Sequence, residues 1–403
     1  MMFLRLRPAS GMKREGRDVG VNELGTSPQV PYYLRPGKKS TVLYHRDISS
    51  THCSRGHCQK RMEQGSVPNV FADMDWPVPP LPVIFCFAGQ GSQYFGMAGQ
   101  LLAENAVFRH WMQAGDAIVA ARHGFSVLAE IQGGGKRVSQ PFDRLEASHP
   151  AIFLVQYALA KVLQDHGLRP HMLLGVSLGE IVAQAIAGMI SFETALTLVA
   201  DQPDLFRRTC PPGGMVAVLA PATLHADNPV LAARSEMAGI TSPNHFILSA
   251  LAEDLDGIEA ELRRREVVFQ RLPVPFAFHS RFIDAAQAEC LAATALVRRE
   301  SPFWPVWSCC TAGPTGTAMP DLIWRIVRQP MQVAHSVAIL EQQGAVYVDL
   351  SPSGTLATVL RQCLQPGSPS KLLSVLSPFG GDDQRLTKTV ETLRRLAETG
   401  TLR

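Results

Sequence analysis

Residues 171–190 read HMLLGVSLGEIVAQAIAGMI, and the fold follows from how this stretch divides. HMLLG has the length and apolar content of a buried strand, and GEIVAQAIAGMI leaves it as a helix. Gly175, Val176, Ser177, Leu178 and Gly179 therefore spell G-x-S-x-G at a strand-to-helix turn. A sharp turn in that place lifts the serine Oγ above the sheet, and the flanking glycines leave room for the tight backbone. The N–H of the next residue, Leu178, would face a developing oxyanion, helped by the positive end of the helix. The competing reading makes Ser177 a helix cap. The strand-turn-helix context favours a nucleophile.

Outward from this turn the chain alternates strands and helices. Upstream, PVIFCFAGQGSQ (residues 82–93) is a short apolar run ending in a glycine turn, which suits a strand buried on both faces. Residues 149–166 carry apolar side chains at Ile152, Phe153, Val155, Leu159 and Leu163, predicting an amphipathic helix closed by Gly167 and Pro170. Between residues 213 and 275 the predicted order is strand 215–220, helix 224–234, strands 236–242 and 245–250, helix 253–265 and strand 267–274. That β-α-β-β-α-β path is ferredoxin-like. Alternation resumes through VYVDL and LATVLRQCL, and one more amphipathic helix falls in the last thirty-odd residues. The predicted fold is α/β: an α/β-hydrolase-like body with a parallel sheet (81–210 and 276–403) and an inserted ferredoxin-like subdomain (211–275). Residues 1–80 show no sustained period, are rich in Gly, Pro, Ser and basic residues, and read as a flexible extension in which Met62 and Met74 are alternative starts.

Composition narrows the function. Of 403 residues 46% are hydrophobic and 18% charged, the balance of a globular chain. The net charge of +3 is too small and too dispersed for a nucleic-acid or anionic-membrane footprint. No apolar run approaches the roughly 18 residues of a membrane span, and MMFLRLRPAS lacks the apolar core of a signal peptide. The expected compartment is the cytoplasm, with the eight cysteines reduced. HCSRGHC (residues 52–58) has ligand-type residues but no second distant pair, so it is weak as a zinc site and no metal is expected.

A serine hydroxyl needs a base. Of twelve histidines, His279 in VPFAFHS stands out, because it follows the last predicted strand of the insertion where the chain re-enters the body. No acidic residue occupies a recognisable third-triad position, so a dyad is the simpler proposal. Phe276 and Phe278 beside it read equally as walls of an acyl pocket and as core.

Together, GQGSQ (residues 89–93), HPAIFLVQYALA (149–160), GVSLGE (175–180), the AVLA strand and FHS (278–280) resemble the acyltransferases that load malonyl groups onto acyl carrier proteins. The likeness runs from about residue 83 to about residue 363. It implies a Ser177–His279 dyad, an oxyanion hole from the backbone N–H groups of Gln90 and Leu178, and a backbone carbonyl at Ile326 that orients the histidine. It implies no resident cofactor: phosphopantetheine arrives with the acyl carrier protein partner, or coenzyme A with the acyl group.

Three positions depart from that family's pattern. Val176 stands where histidine usually precedes the nucleophile, Thr241 where the insertion usually has asparagine, and Gln202 where the transferases carry an arginine that grips the malonyl carboxylate. An arginine fork matches a carboxylate bidentately, whereas Gln202 cannot neutralise one. Asp201 beside it would add repulsion; Arg207 or Arg208 could take over only if the register shifts around Pro203. In the departures at Val176 and Gln202 the chain is similar to discrete acyltransferase homologues of the pederin and bacillaene type, acyl hydrolases beside trans-acyltransferase polyketide synthases. The resemblance implies removal of neutral acyl groups from carrier-protein thioesters, with malonyl transfer from coenzyme A to carrier proteins as the alternative.

Overall fold

The computed structural model describes residues 80–317 and 319–398; the extension at 1–79 and the HCSRGHC stretch lie outside the described residues. Among these, ten strands follow in chain order: β1 (Val83–Phe87), β2 (Met172–Gly175), β3 (Gly213–Val218), β4 (Glu236–Ser242), β5 (His245–Leu251), β6 (Phe269–Arg271), β7 (Val306–Ser308), β8 (Gly313–Thr315), β9 (Val346–Asp349) and β10 (Lys371–Ser374). They form a six-stranded sheet in the order β10-β9-β1-β2-β7-β8 and a four-stranded sheet in the order β4-β5-β3-β6.

The first sheet is parallel except at its edge, where β8 returns antiparallel to β7. Every residue of β1 and β2 is buried, as expected for central strands covered by helices on both faces. The G-x-S-x-G turn therefore sits at the carboxyl end of β2, in the middle of the sheet, where open α/β sheets place their ligands. The second sheet is antiparallel throughout and follows the predicted β-α-β-β-α-β path. It holds its own apolar cluster, in which Val216, Phe246, Leu248, Ile258 and Leu262 are buried.

Two elements differ from the expectation. The helix placed at 149–166 runs over Leu145–Asp165 and is buried on nearly all sides through Val162, because it is packed by Ala106–His123, Phe192–Thr209 and the nucleophile helix. A single helix over 224–234 is instead two short ones, Thr223–Ala226 and Pro229–Arg234. Asn228 separates them: its Oδ1 accepts from the N–H groups of Val230 and Leu231, and Pro229 starts the second helix. No helix among the described residues is long and apolar enough to cross a membrane.

Candidate active site

Ser177 has φ 55° and ψ −126°, a conformation L-residues rarely adopt, and its backbone enters the helix Leu178–Ile186 directly. Such strain, of order 1–3 kcal/mol, persists only where packing over-determines the turn. Here two close approaches do so. A Cβ on Gly179 would lie 2.1 Å from the Phe87 carbonyl oxygen, and one on Gly89 would lie 2.9 Å from the Ser177 Cβ. The glycines thus let the helix start and the loop after β1 press against the serine.

His279 Nε2 lies 2.9 Å from Ser177 Oγ, although the residues are 102 positions apart. Its backbone is also at positive φ, 61°, and is fixed by its N–H donating to the Val327 carbonyl at 2.8 Å. Nδ1 lies 2.9 Å from the Gln329 carbonyl. A carbonyl can only accept, so Nδ1 carries the proton and Nε2 is left to accept the serine O–H. Burial lowers the imidazole pKa to about 4, so the ring is neutral at physiological pH.

The orienting carbonyl expected at Ile326 is therefore that of Gln329. Ile326 lies inside the helix Leu322–Arg328, where carbonyls run along the axis. Pro330 disfavours the α conformation for the residue before it, and Gln329 leaves the helix at ψ 150° with its carbonyl free to meet the imidazole.

Gln90 and Leu178 both line the pocket at Ser177, and the backbone N–H of neither has a protein acceptor among the described residues. Gln156 holds the loop that carries the first: its side chain accepts from the Ala88 N–H at 2.6 Å and donates to the Ala88 carbonyl at 2.9 Å. Glu180 braces the other side. Its buried carboxyl accepts from the Ser308 hydroxyl and from the Cys310 N–H at 2.9 Å, tying the nucleophile helix to the end of β7. Burial pushes its pKa up to about 8.

The pocket opening on Ser177 has a volume of about 140 Å³, roughly ten times what one water needs. Its wall is largely apolar, with Val176, Met215, Ile247, Phe278, Met331 and Val359 among its members, and among the described residues no Asp, Glu, Lys or Arg contributes. Gln202 lines it, 6% exposed, as does Thr241. The surrounding charges point elsewhere. Asp201 pairs with Arg122 at 2.6 Å outside this pocket, so the repulsion expected from it is absent. Arg207 pairs with Glu146 and Asp204, and Arg208 with Glu289 at 2.8 Å, all at the surface. Neither arginine replaces Gln202. Phe278 lines the pocket, whereas Phe276 packs on Phe206 outside it.

Residues 84–400 match the model of the acyl transferase domain. The chain belongs to this family. As an acyl transferase domain it is similar to the polyketide biosynthesis acyltransferase homolog BaeD of Bacillus velezensis, with 37% identity over 77% of this chain and 97% of that one. It is also 38% identical to the homolog PksD of Bacillus subtilis, over 78% of this chain and 97% of the relative. Among solved structures, the acyl transferase domain of SpnD in complex with 2-(pent-4-yn-1-yl)malonyl superposes with a TM-score of 0.71 at 27% identity, covering 81% of this chain and 79% of that one. The mixed α/β fold with its parallel-containing sheet is that of the family's solved structures.

Within this acyl transferase domain, Ser177, His279, Gln90, Leu178, Val176 and Gln202 come together around one cavity. Sequence reasoning passed over Gln329, Gln156 and the bracing by Glu180. Of these Gln329 carried a readable signal, since Pro330 marks the residue before it as extended and helix-ending.

Proposed function

We propose that this chain is an acyl hydrolase of polyketide biosynthesis that clears neutral acyl groups from acyl carrier protein thioesters through an acyl-enzyme on Ser177. The observation that carries this reading is the uncharged pocket: Gln202 lines it and, among the described residues, no lysine or arginine does. A malonyl carboxylate buried there would be unpaired, which typically costs about 3–5 kcal/mol. The named relatives support the polyketide setting and the carrier-protein partner.

Chemically, His279 Nε2 takes the Ser177 proton as Oγ attacks the thioester carbonyl, and the Gln90 and Leu178 amides receive the oxyanion. The carrier thiol leaves with that proton and Ser177 holds the acyl group as an ester. Water then attacks the ester, giving its proton to His279, which returns it to Ser177 Oγ as the free acid departs. A carrier thiol in place of water would complete a transfer by the same steps.

Purified protein should be given malonyl-CoA and, separately, acetyl, butyryl and longer neutral acyl groups on carrier protein, with free acid and acyl transfer followed independently. Free acid from the neutral thioesters, and little or no malonyl-enzyme, is expected. Efficient malonyl transfer to carrier protein with negligible free acid would overturn the reading in favour of a malonyl transferase.

A further inference from the structure

Two cavities meet at one residue. Gln202 lines the acyl pocket of about 140 Å³, and it also lines a second cavity of about 550 Å³ between the helices Phe192–Thr209 and Gln287–Thr294. Among the described residues no other lining residue is common to the two. At position 202 they are therefore separated by the thickness of a single residue.

The difference in volume bears on the substrate. A dry apolar cavity of about 150 Å³ takes one benzene ring, so the acyl pocket is full at about six carbons. A longer acyl group needs further space. It cannot run back through the mouth of the pocket, because the pantetheine arm occupies that route while Ser177 attacks the thioester. The second cavity has the room. Leu198, Leu205, Val297 and Ile323 give it apolar lining that a hydrocarbon chain can cover. Its charges make no demand on a guest, since Asp201 is paired with Arg122 at 2.6 Å and Glu193 is exposed to water.

The residue between the cavities is also one that can turn aside. Gln202 Nε2 has no hydrogen-bond partner among the described residues, so a change of side-chain rotamer breaks no bond at that atom.

We propose that the cavity between these two helices is a second acyl subsite, in which the distal carbons of linear acyl groups longer than about six carbons lie after passing Gln202. The proposal rests on the acyl-enzyme reading above and adds a substrate class to it, medium-chain acyl thioesters. Short acyl groups fill only the first pocket.

The test measures acylation of Ser177 by intact-protein mass, under kcat/KM conditions, with butyryl, hexanoyl, octanoyl and decanoyl thioesters on carrier protein. Decanoyl is expected to react at least about a tenth as fast as hexanoyl, whereas a pocket closed at six carbons would exclude it. Ala293 is exposed and lines the second cavity. Ala293→Trp should lower the decanoyl-to-butyryl ratio by about tenfold or more, the value of roughly two buried methylenes. The path of the chain is read with a decyl fluorophosphonate that bears a terminal diazirine and phosphonylates Ser177 Oγ with loss of fluoride. On irradiation it should cross-link within residues 194–205 or 290–297. The wild-type rates and the cross-link stand even if the variant folds poorly. Exclusion of decanoyl, an unchanged ratio in Ala293→Trp, or cross-links confined to other segments each overturns the second subsite while leaving the acyl-enzyme intact. Absence of acylated Ser177 with every chain overturns the acyl-enzyme reading and the subsite with it.

Discussion

At one end of the pocket, Ser177 and His279 are each held at positive φ and hydrogen-bonded to each other, with Gln329 taking the far side of the imidazole. On the acyl side, His149 and Gln202 are buried and Gln90 is half-buried, and Gln90 Oε1, His149 Nδ1 and Gln202 Nε2 have no hydrogen-bond partner among the described residues. The reacting end stores its strain in the backbone and satisfies its side chains. On the acyl side none of these three residues is at positive φ, and the side chains are left unsatisfied. A family can therefore keep the first end while varying the second, because a side chain such as Gln202 changes without disturbing the turn that positions the serine.

The sharpest way to break this contrast is to remove the nucleophile. Ser177→Ala should abolish acyl-enzyme in intact-mass measurements and reduce turnover by roughly 10⁴-fold or more, since the remaining site can only polarise the carbonyl. Acylated protein in that variant would place the chemistry elsewhere. His279→Ala should slow acylation by about 10²–10⁴-fold, the usual contribution of a positioned base, with an unchanged near-ultraviolet circular dichroism spectrum. A wild-type rate would show that another group takes the proton.

The acyl end should respond in specificity rather than in rate alone. Gln202→Arg should raise malonyl acylation of Ser177 by about 10–100-fold, less than the full value of a carboxylate pair because Val176 and Thr241 also differ from the transferase pattern. Neutral acyl groups should react more slowly in the same protein. If malonyl acylation does not move, residue 202 does not set the charge preference.

The smallest expected effect concerns the brace behind the nucleophile. Glu180 has a folded pKa of about 8, above its ordinary 4.5, so its contribution to stability is complete below the lower value and is lost as pH rises through the higher one. His149 and His279, both lowered to about 4, act oppositely: stability falls as pH drops from about 6.5 toward 4. Between pH 6.5 and 8 the carboxyl term stands apart from these histidines. There, thermal melts of the wild type should lose stability relative to Glu180→Gln, by at most about 1.4 kcal/mol per pH unit. A constant difference across that window would mean that Glu180 is already ionised in the folded protein.

The parts of the site legible in the sequence were those written in local constraint. Gly89, Ser177 and Gly179 announce a tight turn because only particular residue types fit it, and β1 and β2 are apolar without interruption because both faces are covered. What stayed hidden depends on which segments meet in space. Pro330 marks Gln329 as helix-ending, but nothing local says that its carbonyl will reach a histidine 50 positions earlier. Asp201 adjoins Gln202 in the chain, yet consecutive helical residues point about 100° apart, and Asp201 meets Arg122 instead.

The segment after that histidine-orienting carbonyl also couples the two sheets. Met331 donates to Ala238 at 2.8 Å and accepts from Ile240 at 3.1 Å on β4, with Gly239 directly opposite, while Gln332 donates to Cys309 just beyond β7 at 2.8 Å. A Cβ on Gly239 would come within 2.8 Å of the Met331 carbonyl oxygen. The consequence is mechanical. The small sheet cannot swing away from the large one like a jaw without tearing the strip that aims the imidazole, so opening would switch the base off. Amide exchange at Ile240, Met331 and Gln332 should accordingly proceed in one cooperative step, and a carrier protein would meet a cleft of fixed gape.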